Sequence, residues 1–221
     1  MYTIQPLDWD THFFGYKVGK ISLSAEEIST LQKIEIADYK LIYLFAAHSI
    51  EEYLLKQWGA QLQDIKIEFV RTVDLSDYQS YLPEDMTIKP IHTFSEELFH
   101  LVLESGVHSR FKLDKNFVNN EFERLYKTWI EKALNDKDAK VMGAYLRNEL
   151  MGFVCLTLKS GVADIGLIAV HEKARGNHIG KKLLEAAYNY TIQNNSKSLT
   201  VVTQEFNLQA MHFYLKNGFK I

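Results

Sequence analysis

Arg175, Gly176, Asn177, His178, Ile179 and Gly180, followed directly by Lys181 and Lys182, set two glycines among three cations at the head of an amphipathic run. Glycines let backbone amides approach a ligand closely, and the cations add charge around it. Where such a turn joins the end of an apolar strand to a helix, several N–H groups without intrahelical partners converge at the positive end of the helix dipole. The chemistry this predicts is the binding of a diphosphate. Taken alone, the same residues are equally well read as a capping turn with a solvated basic face.

Two neighbouring features bear on that choice. Gly166 interrupts the apolar strand ahead of the turn, and glycine inside a strand marks a bulge or a close backbone approach. If the strand parts from its neighbour there, amides freed near Leu167, Ile168, Ala169 and Val170 can bind an extended amide-bearing ligand as an extra strand; simple packing against a bulky side chain is the plainer reading. Near the C-terminus Asn207, Ala210 and Tyr214 fall at i, i+3 and i+7 and share one helix face. Asn207 can cap that helix and still turn its amide toward a ligand. Tyr214, after Phe213, presents a phenol on the same side, although a core tyrosine explains it as well.

The elements that must hold these residues follow from periodicity. The first part alternates strand and helix: strands at 16–23 and 41–46, helices at 25–37 and 49–58 with Ser49 as a cap, then a long alternating run at 62–75. Residues 76–85, with Pro83 and several polar residues, are the expected linker. From Met86 a strand (86–91), a helix (95–106), an aromatic and basic loop and a second helix (117–134) are predicted. A hairpin through Arg147-Asn148-Glu149, a strand ending near Val170, a helix at 178–193, a strand at 198–203 and a helix at 207–216 follow. This predicts an α/β N-terminal domain over 1–80 and a larger α/β domain of mixed sheet over 86–221.

Composition narrows the function. The 221 residues are 47% hydrophobic, ample for packed cores, and the formal net charge of −3 argues against a general polyanion binder, so no nucleic-acid partner is expected. Cys155 is the single cysteine, which excludes an internal disulfide and reads as a small buried hydrophobe in a strand. The eight histidines include no His-x-x-x-His pair, and His100 and His108 lie far from the cysteine, so no metal is expected. Neither a Gly-x-x-x-x-Gly-Lys-Ser/Thr loop nor a Gly-x-Gly-x-x-Gly turn occurs. No apolar run reaches membrane-spanning length and the first residues lack a signal-like pattern, so a cytoplasmic protein is expected.

In this order and spacing, Arg175 to Gly180 and Asn207 to Phe219 resemble two motifs of the GNAT superfamily of acetyl-coenzyme A dependent N-acetyltransferases. The first is its Gln/Arg-x-x-Gly-x-Gly/Ala loop, and the second its Asn-x-x-Ala-x-x-Phe-Tyr-x-x-x-Gly-Phe segment. The resemblance covers Met86 onward and implies a GNAT fold with a mixed, mostly antiparallel central sheet, preceded by the smaller N-terminal domain. His178 stands where the family usually has its first motif glycine; a negative φ is expected there, as the first turn of a helix requires. The family normally adds a strand after the Gly-Phe pair, whereas only Lys220 and Ile221 follow Gly218-Phe219. Either the chain continues beyond the residues given, or a partner or the N-terminal half fills that sheet position.

Residues 7–15 (Leu-Asp-Trp-Asp-Thr-His-Phe-Phe-Gly), Ser109-Arg110-Phe111, residues 126–131 (Tyr-Lys-Thr-Trp-Ile-Glu) and Thr203-Gln204 resemble the two-domain dTDP-4-amino-4,6-dideoxygalactose (TDP-fucosamine) N-acetyltransferases. Trp9, Phe13 and Phe14 are expected as a hydrophobic plug between the halves. The resemblances imply acetyl-coenzyme A as co-substrate, without a metal. It would lie along Leu167, Ile168, Ala169 and Val170, with its diphosphate on Arg175, Gly176, Asn177, His178, Ile179, Gly180 and Lys181, and with Asn207 and Phe213 beside it. The amine of a nucleotide-linked amino sugar would attack the thioester directly, N–H groups near Ile168 would stabilise the carbonyl oxygen, and Tyr214 would protonate the leaving thiolate. Asp64 is the candidate base, and Ser109 and Arg110 would hold the sugar nucleotide. Acceptors left open are another amino sugar, a polyamine or a protein N-terminus, and a non-catalytic acyl-coenzyme A binding module is the rival class. No membrane partner is implied, and a homodimer is admitted.

Overall fold

A computed structural model of the chain describes residues 2–79 and 81–221. Its contacts fall into two compact units, the first ending at Gln63 and the second running from Asp64 to Ile221. The first unit contains β1 (Gln5–Pro6), α1 (Asp8–Phe14), β2 (Val18–Leu23), α2 (Ala25–Thr30), β3 (Leu41–Ala46) and α3 (Glu52–Trp58). β2 is central, antiparallel to β1 and parallel to β3. Its alternation sends Ile21 and Leu23 into a small core with Ile28 and Trp58.

Ser24 opens α2 with a capping box to Glu27. The helix stops at Thr30 rather than Ala37, because the chain turns extended at Leu31, with φ −73° and ψ 115°, and Leu31 and Ile34 pack on the same core from outside the helix. α3 starts after Glu51, so Ser49 is not its cap. On α1, Trp9 stacks on Phe13 at 5.3 Å and Phe13 meets Phe14 edge-on at 4.9 Å, forming an aromatic cluster on one short helix.

The second unit contains β4 (Lys66–Thr72), β5 (Met86–Pro90), α4 (Glu96–Ser105), α5 (Arg110–Leu113), α6 (Glu121–Asn135), β6 (Ala139–Leu146), β7 (Glu149–Lys159), β8 (Val162–Val170), α7 (Ile179–Gln193), β9 (Ser198–Gln204) and α8 (Leu208–Lys216). Its sheet runs β4-β9-β8-β7-β6-β5, antiparallel except for the β8–β9 pair. The expected mixed, mostly antiparallel architecture is present. The β6–β7 hairpin turns on Arg147 and Asn148 with φ of 51° and 69°, the doubly left-handed geometry that suits a two-residue hairpin. Val154 and Leu156 of β7 enter the main core with Leu183 and Leu184 of α7 and Tyr214 of α8. Phe153 and Cys155, of opposite parity, are buried on the other face, where α4 packs.

β4 corrects the expected division of the chain. Its seven residues pair antiparallel with β9, and Phe69 is fully buried in the main core, so the alternating run assigned to the N-terminal half belongs to the second unit. The boundary lies at Gln63–Asp64, ahead of the linker expected at 76–85. Alternation reveals a strand but not its partner, and this partner lies more than a hundred residues away. Within 76–85, Asn189 of α7 exchanges two hydrogen bonds with the Gln79 backbone, at 3.0 and 2.6 Å. β4 also takes the sheet position beyond β9, and Lys220 exchanges backbone hydrogen bonds with Val70 at 2.8 Å on its free side.

Candidate active site

β8 and β9 pair only over residues 163–165 and 199–201. At that joined end the Thr200 hydroxyl donates to the Asp164 carboxylate at 2.8 Å. Immediately beyond, Leu156 faces Ile165 while Cys155 faces Leu167, which leaves Gly166 as the extra residue of a bulge. A bulge bends its strand and increases the local twist. β8 therefore stays on β7 as far as Val170 but leaves β9, and one row of peptide groups along 167–170 faces the gap. A Cβ on Gly166 would meet only the Cys155 carbonyl oxygen, at 3.9 Å, so packing against a bulky neighbour is not the reason for this glycine.

After β8, a 3-10 turn at Glu172–Ala174 leads to Arg175, Gly176 at φ 84° and His178 at φ 60°, ψ 8°. The negative φ expected for His178 is not found. His178 is the residue before α7, not part of its first turn, and the chain bends there through the left-handed region, which histidine tolerates better than most residues. No side chain caps α7. The N–H groups of Ile179, Gly180 and Lys181 thus head the helix as a crown of donors without intrahelical partners.

Two of the three cations around this crown are already engaged. Arg175 donates from Nη2 to Glu104 of α4 at 2.9 Å and from Nε to the Val170 carbonyl at 3.4 Å. Lys182 bonds to Glu185 at 2.7 Å, while Lys181 lies 4.0 Å from the same carboxylate with its side chain 61% exposed. With Arg175 and Lys182 paired, the positive charge left open at the head of α7 is that of its backbone N–H groups and of Lys181.

Asn207 precedes α8, accepts from the Ala210 N–H at 3.2 Å and donates from Nδ2 to the Thr203 hydroxyl at 3.3 Å. Both ends of its amide serve the fold. Phe213 lies against Gly180, where an added Cβ would come within 3.2 Å of the ring, so the basic turn and α8 meet through the absence of one side chain. Tyr214 is 3% exposed among Phe69, Phe213 and Phe219, with ring centroids 5.5, 5.6 and 5.5 Å away. Burial raises its pKa well above the ordinary tyrosine value, so the phenol keeps its proton at neutral pH.

The structure brings Asp64 and Arg110 together, with Oδ2 and Nη1 4.0 Å apart and both side chains largely buried. Asp64 is the first residue of the second unit rather than part of the N-terminal half. Arg110 opens α5 and lies over the Phe111 ring at 4.5 Å, and Ser109 beside it is buried. Lys66 pairs with Gln204 at the open end of the β8–β9 gap. Partial burial of its ammonium, helped by the Arg110 charge, lowers its pKa from the ordinary lysine value, and Asp64 opposes this. His108, after α4, meets Phe206, after β9, edge-on at 5.8 Å. Sequence reasoning overlooked Lys66, Glu104, His108 and Phe206, for none belongs to a local motif. Cys155 is buried, and its thiol is pushed up to about 11, mainly by burial, so it is unreactive at neutral pH. Among the described residues no group of His, Cys, Asp and Glu is placed to hold a metal, and no helix is long and apolar enough to cross a membrane.

Residues 105–219 match the Acetyltransferase (GNAT) family. The chain belongs to that family. At 24% identity over 223 residues it is similar to the dTDP-fucosamine acetyltransferase of Escherichia coli O6:H1, covering 98% of this chain and 92% of the other. Among solved structures, a functionally unknown conserved protein from Staphylococcus epidermidis is 15% identical with a TM-score of 0.62, covering 93% of this chain and 80% of that one. A GNAT family acetyltransferase from Elizabethkingia anophelis, with acetyl-CoA bound, is 22% identical with a TM-score of 0.49, covering 63% of this chain and 78% of that one. The turn at 175–180 and α8 both lie within the matched residues and meet through the Gly180–Phe213 contact.

Proposed function

We propose that this GNAT protein transfers the acetyl group of acetyl-coenzyme A to the amine of a nucleotide-linked amino sugar of the dTDP-4-amino-4,6-dideoxyhexose class. The parted β8 and β9 strands support the coenzyme half of the reading: they offer a row of peptide groups at 167–170 that ends at a crown of helix N–H groups. The likeness to dTDP-fucosamine acetyltransferase, which extends over both units, carries the acceptor half.

Acetyl-coenzyme A supplies an acetyl thioester, whose carbonyl carbon gains the amine nitrogen as its bond to sulfur breaks. Peptide groups of Leu167, Ile168, Ala169 and Val170 bind the amide-bearing arm as a strand would, and an N–H near Ile168 donates to the carbonyl oxygen as negative charge grows on it. Gly176, Asn177, His178, Ile179, Gly180 and Lys181 cradle the diphosphate, with Arg175 at the edge of the turn. Asn207 and Phe213 flank the arm. Tyr214 donates its proton toward the sulfur; a phenol is neutral over the whole neutral range, and burial extends that range upward. Asp64 accepts the proton that the acceptor's ammonium must lose, and Ser109 and Arg110 hold the sugar nucleotide, whose phosphates suit a guanidinium.

The test is free-thiol release from acetyl-coenzyme A with a panel of dTDP- and UDP-linked amino sugars, polyamines and peptides. Turnover confined to dTDP-linked amino sugars is expected. Turnover with a polyamine or peptide and with none of the sugars would sink the acceptor assignment, and no acetyl transfer to any amine would leave a binding module.

A further inference from the structure

We propose that the Glu104–Arg175 ion pair is a brace that holds the diphosphate turn in its binding shape, so that Glu104 is a positioning residue and Arg175 serves the turn through it rather than as a phosphate ligand. The inference rests on the coenzyme reading above. One guanidinium ties three elements together: Nη2 to Glu104 at the last turn of α4, Nε to the carbonyl of Val170 at the end of β8, and its own backbone in the turn. Those are the parts whose relative placement decides whether the peptide row at 167–170 and the crown of α7 can serve one ligand.

Two further observations favour a brace. The turn holds two left-handed residues within three positions, Gly176 and the non-glycine His178. Such conformations persist when surrounding structure over-determines them, which a forked, charge-assisted bond does. A diphosphate, moreover, does not need Arg175, since the N–H groups heading α7 have no side-chain cap and the Lys181 ammonium is largely solvated. A carboxylate beside an anion site is repulsive unless it is neutralised; as half of an ion pair, Glu104 is tolerated there.

Glu104→Gln keeps the side-chain shape and removes the charge, and the two roles give opposite signs. As a brace, Glu104 strengthens coenzyme binding: Glu104→Gln is expected to raise the Kd for coenzyme A three- to tenfold by calorimetry and to raise the KM for acetyl-coenzyme A, with kcat within twofold. As a competitor for a phosphate-binding Arg175, it weakens binding, and its removal would tighten it. Arg175→Lys keeps the charge but not the fork, and should weaken binding as Glu104→Gln does. Hydrogen exchange of the amides at 176–181, measured without coenzyme, should be faster in both variants. Tighter or unchanged coenzyme binding in Glu104→Gln overturns the brace. If the parent binds no coenzyme A, the function proposed above fails instead, and exchange alone decides: faster supports the brace, unchanged overturns it.

Discussion

Tyr214 is a core residue to which the proposed function also gives a chemical role. Its ring packs on Phe69, Phe213 and Phe219, and the same burial keeps its phenol protonated. Tyr214→Phe retains the packing and removes the donor, so kcat should fall by about 10²-fold, a typical share for one proton donor, while the Kd for coenzyme A stays within about twofold. Thiol-release kinetics beside a binding titration checks this; equal turnover in variant and parent removes Tyr214 from the donor role. Burial also raises the Tyr188 phenol to about 12 and the Cys155 thiol to about 11, from ordinary values of 10.0 and 9.0. Groups whose pKa is raised on folding add stability that is complete below the unfolded value and lost as pH rises through the folded one. Thermal melts should therefore give a Tm that declines from about pH 9 to pH 12, and an unchanged Tm across that window would contradict it. His178 carries the lesson about legibility at this scale. Its motif was readable, but its φ was expected negative and is positive, although the glycine usual at that place already signals a left-handed residue. His178→Val, β-branched at positive φ, should destabilise by about 1–2 kcal/mol in denaturant unfolding, whereas His178→Gly should stay within about 0.5 kcal/mol.

Glycines separate the elements that need space from those that need shape. Gly166 sits in the bulge with room for a methyl group, so Gly166→Ala should change stability by no more than about 0.5 kcal/mol. Gly106, at the end of α4, has the Tyr126 ring where a Cβ would stand, 2.3 Å from it; Gly106→Ala forces α4 and α6 apart and should cost about 1–3 kcal/mol. Equal urea midpoints for the two variants would refute the distinction. The parting of β8 from β9 was legible only as one of two readings of Gly166, because a lone glycine in an apolar strand fits a bulge and close packing alike; the helix start after it was plain. The cap of α8 was legible too, since Asn207 bonds to the N–H group of Ala210. What local pattern could not show is which helix end meets the turn. Arg175 and Glu104 lie 71 positions apart, and nothing around either marks the other.

At the scale of the molecule, β4 makes a prediction that the expected division into 1–80 and 86–221 does not. A chain that starts at Asp64 keeps all six strands and the Phe69 plug, whereas one that starts at Met86 leaves β9 as a bare edge over an opened core. The first should be monodisperse by gel filtration with a cooperative melt, and the second should aggregate. Equally good behaviour of both fragments would show that β4 is dispensable. The two-unit plan and the sheet class were visible in the periodicity, but the boundary was not, because strand pairing over long separation leaves no local trace. That separation also sets an order of events during synthesis. β4 leaves the ribosome more than a hundred residues before β9, so at translation speeds its apolar face waits on the order of ten seconds for its partner. The last strand position is then closed from both chain directions, by β9 and by Lys220. The second unit can complete its sheet only once β9 and Lys220 have been made, which makes nascent β4 a natural client for a chaperone.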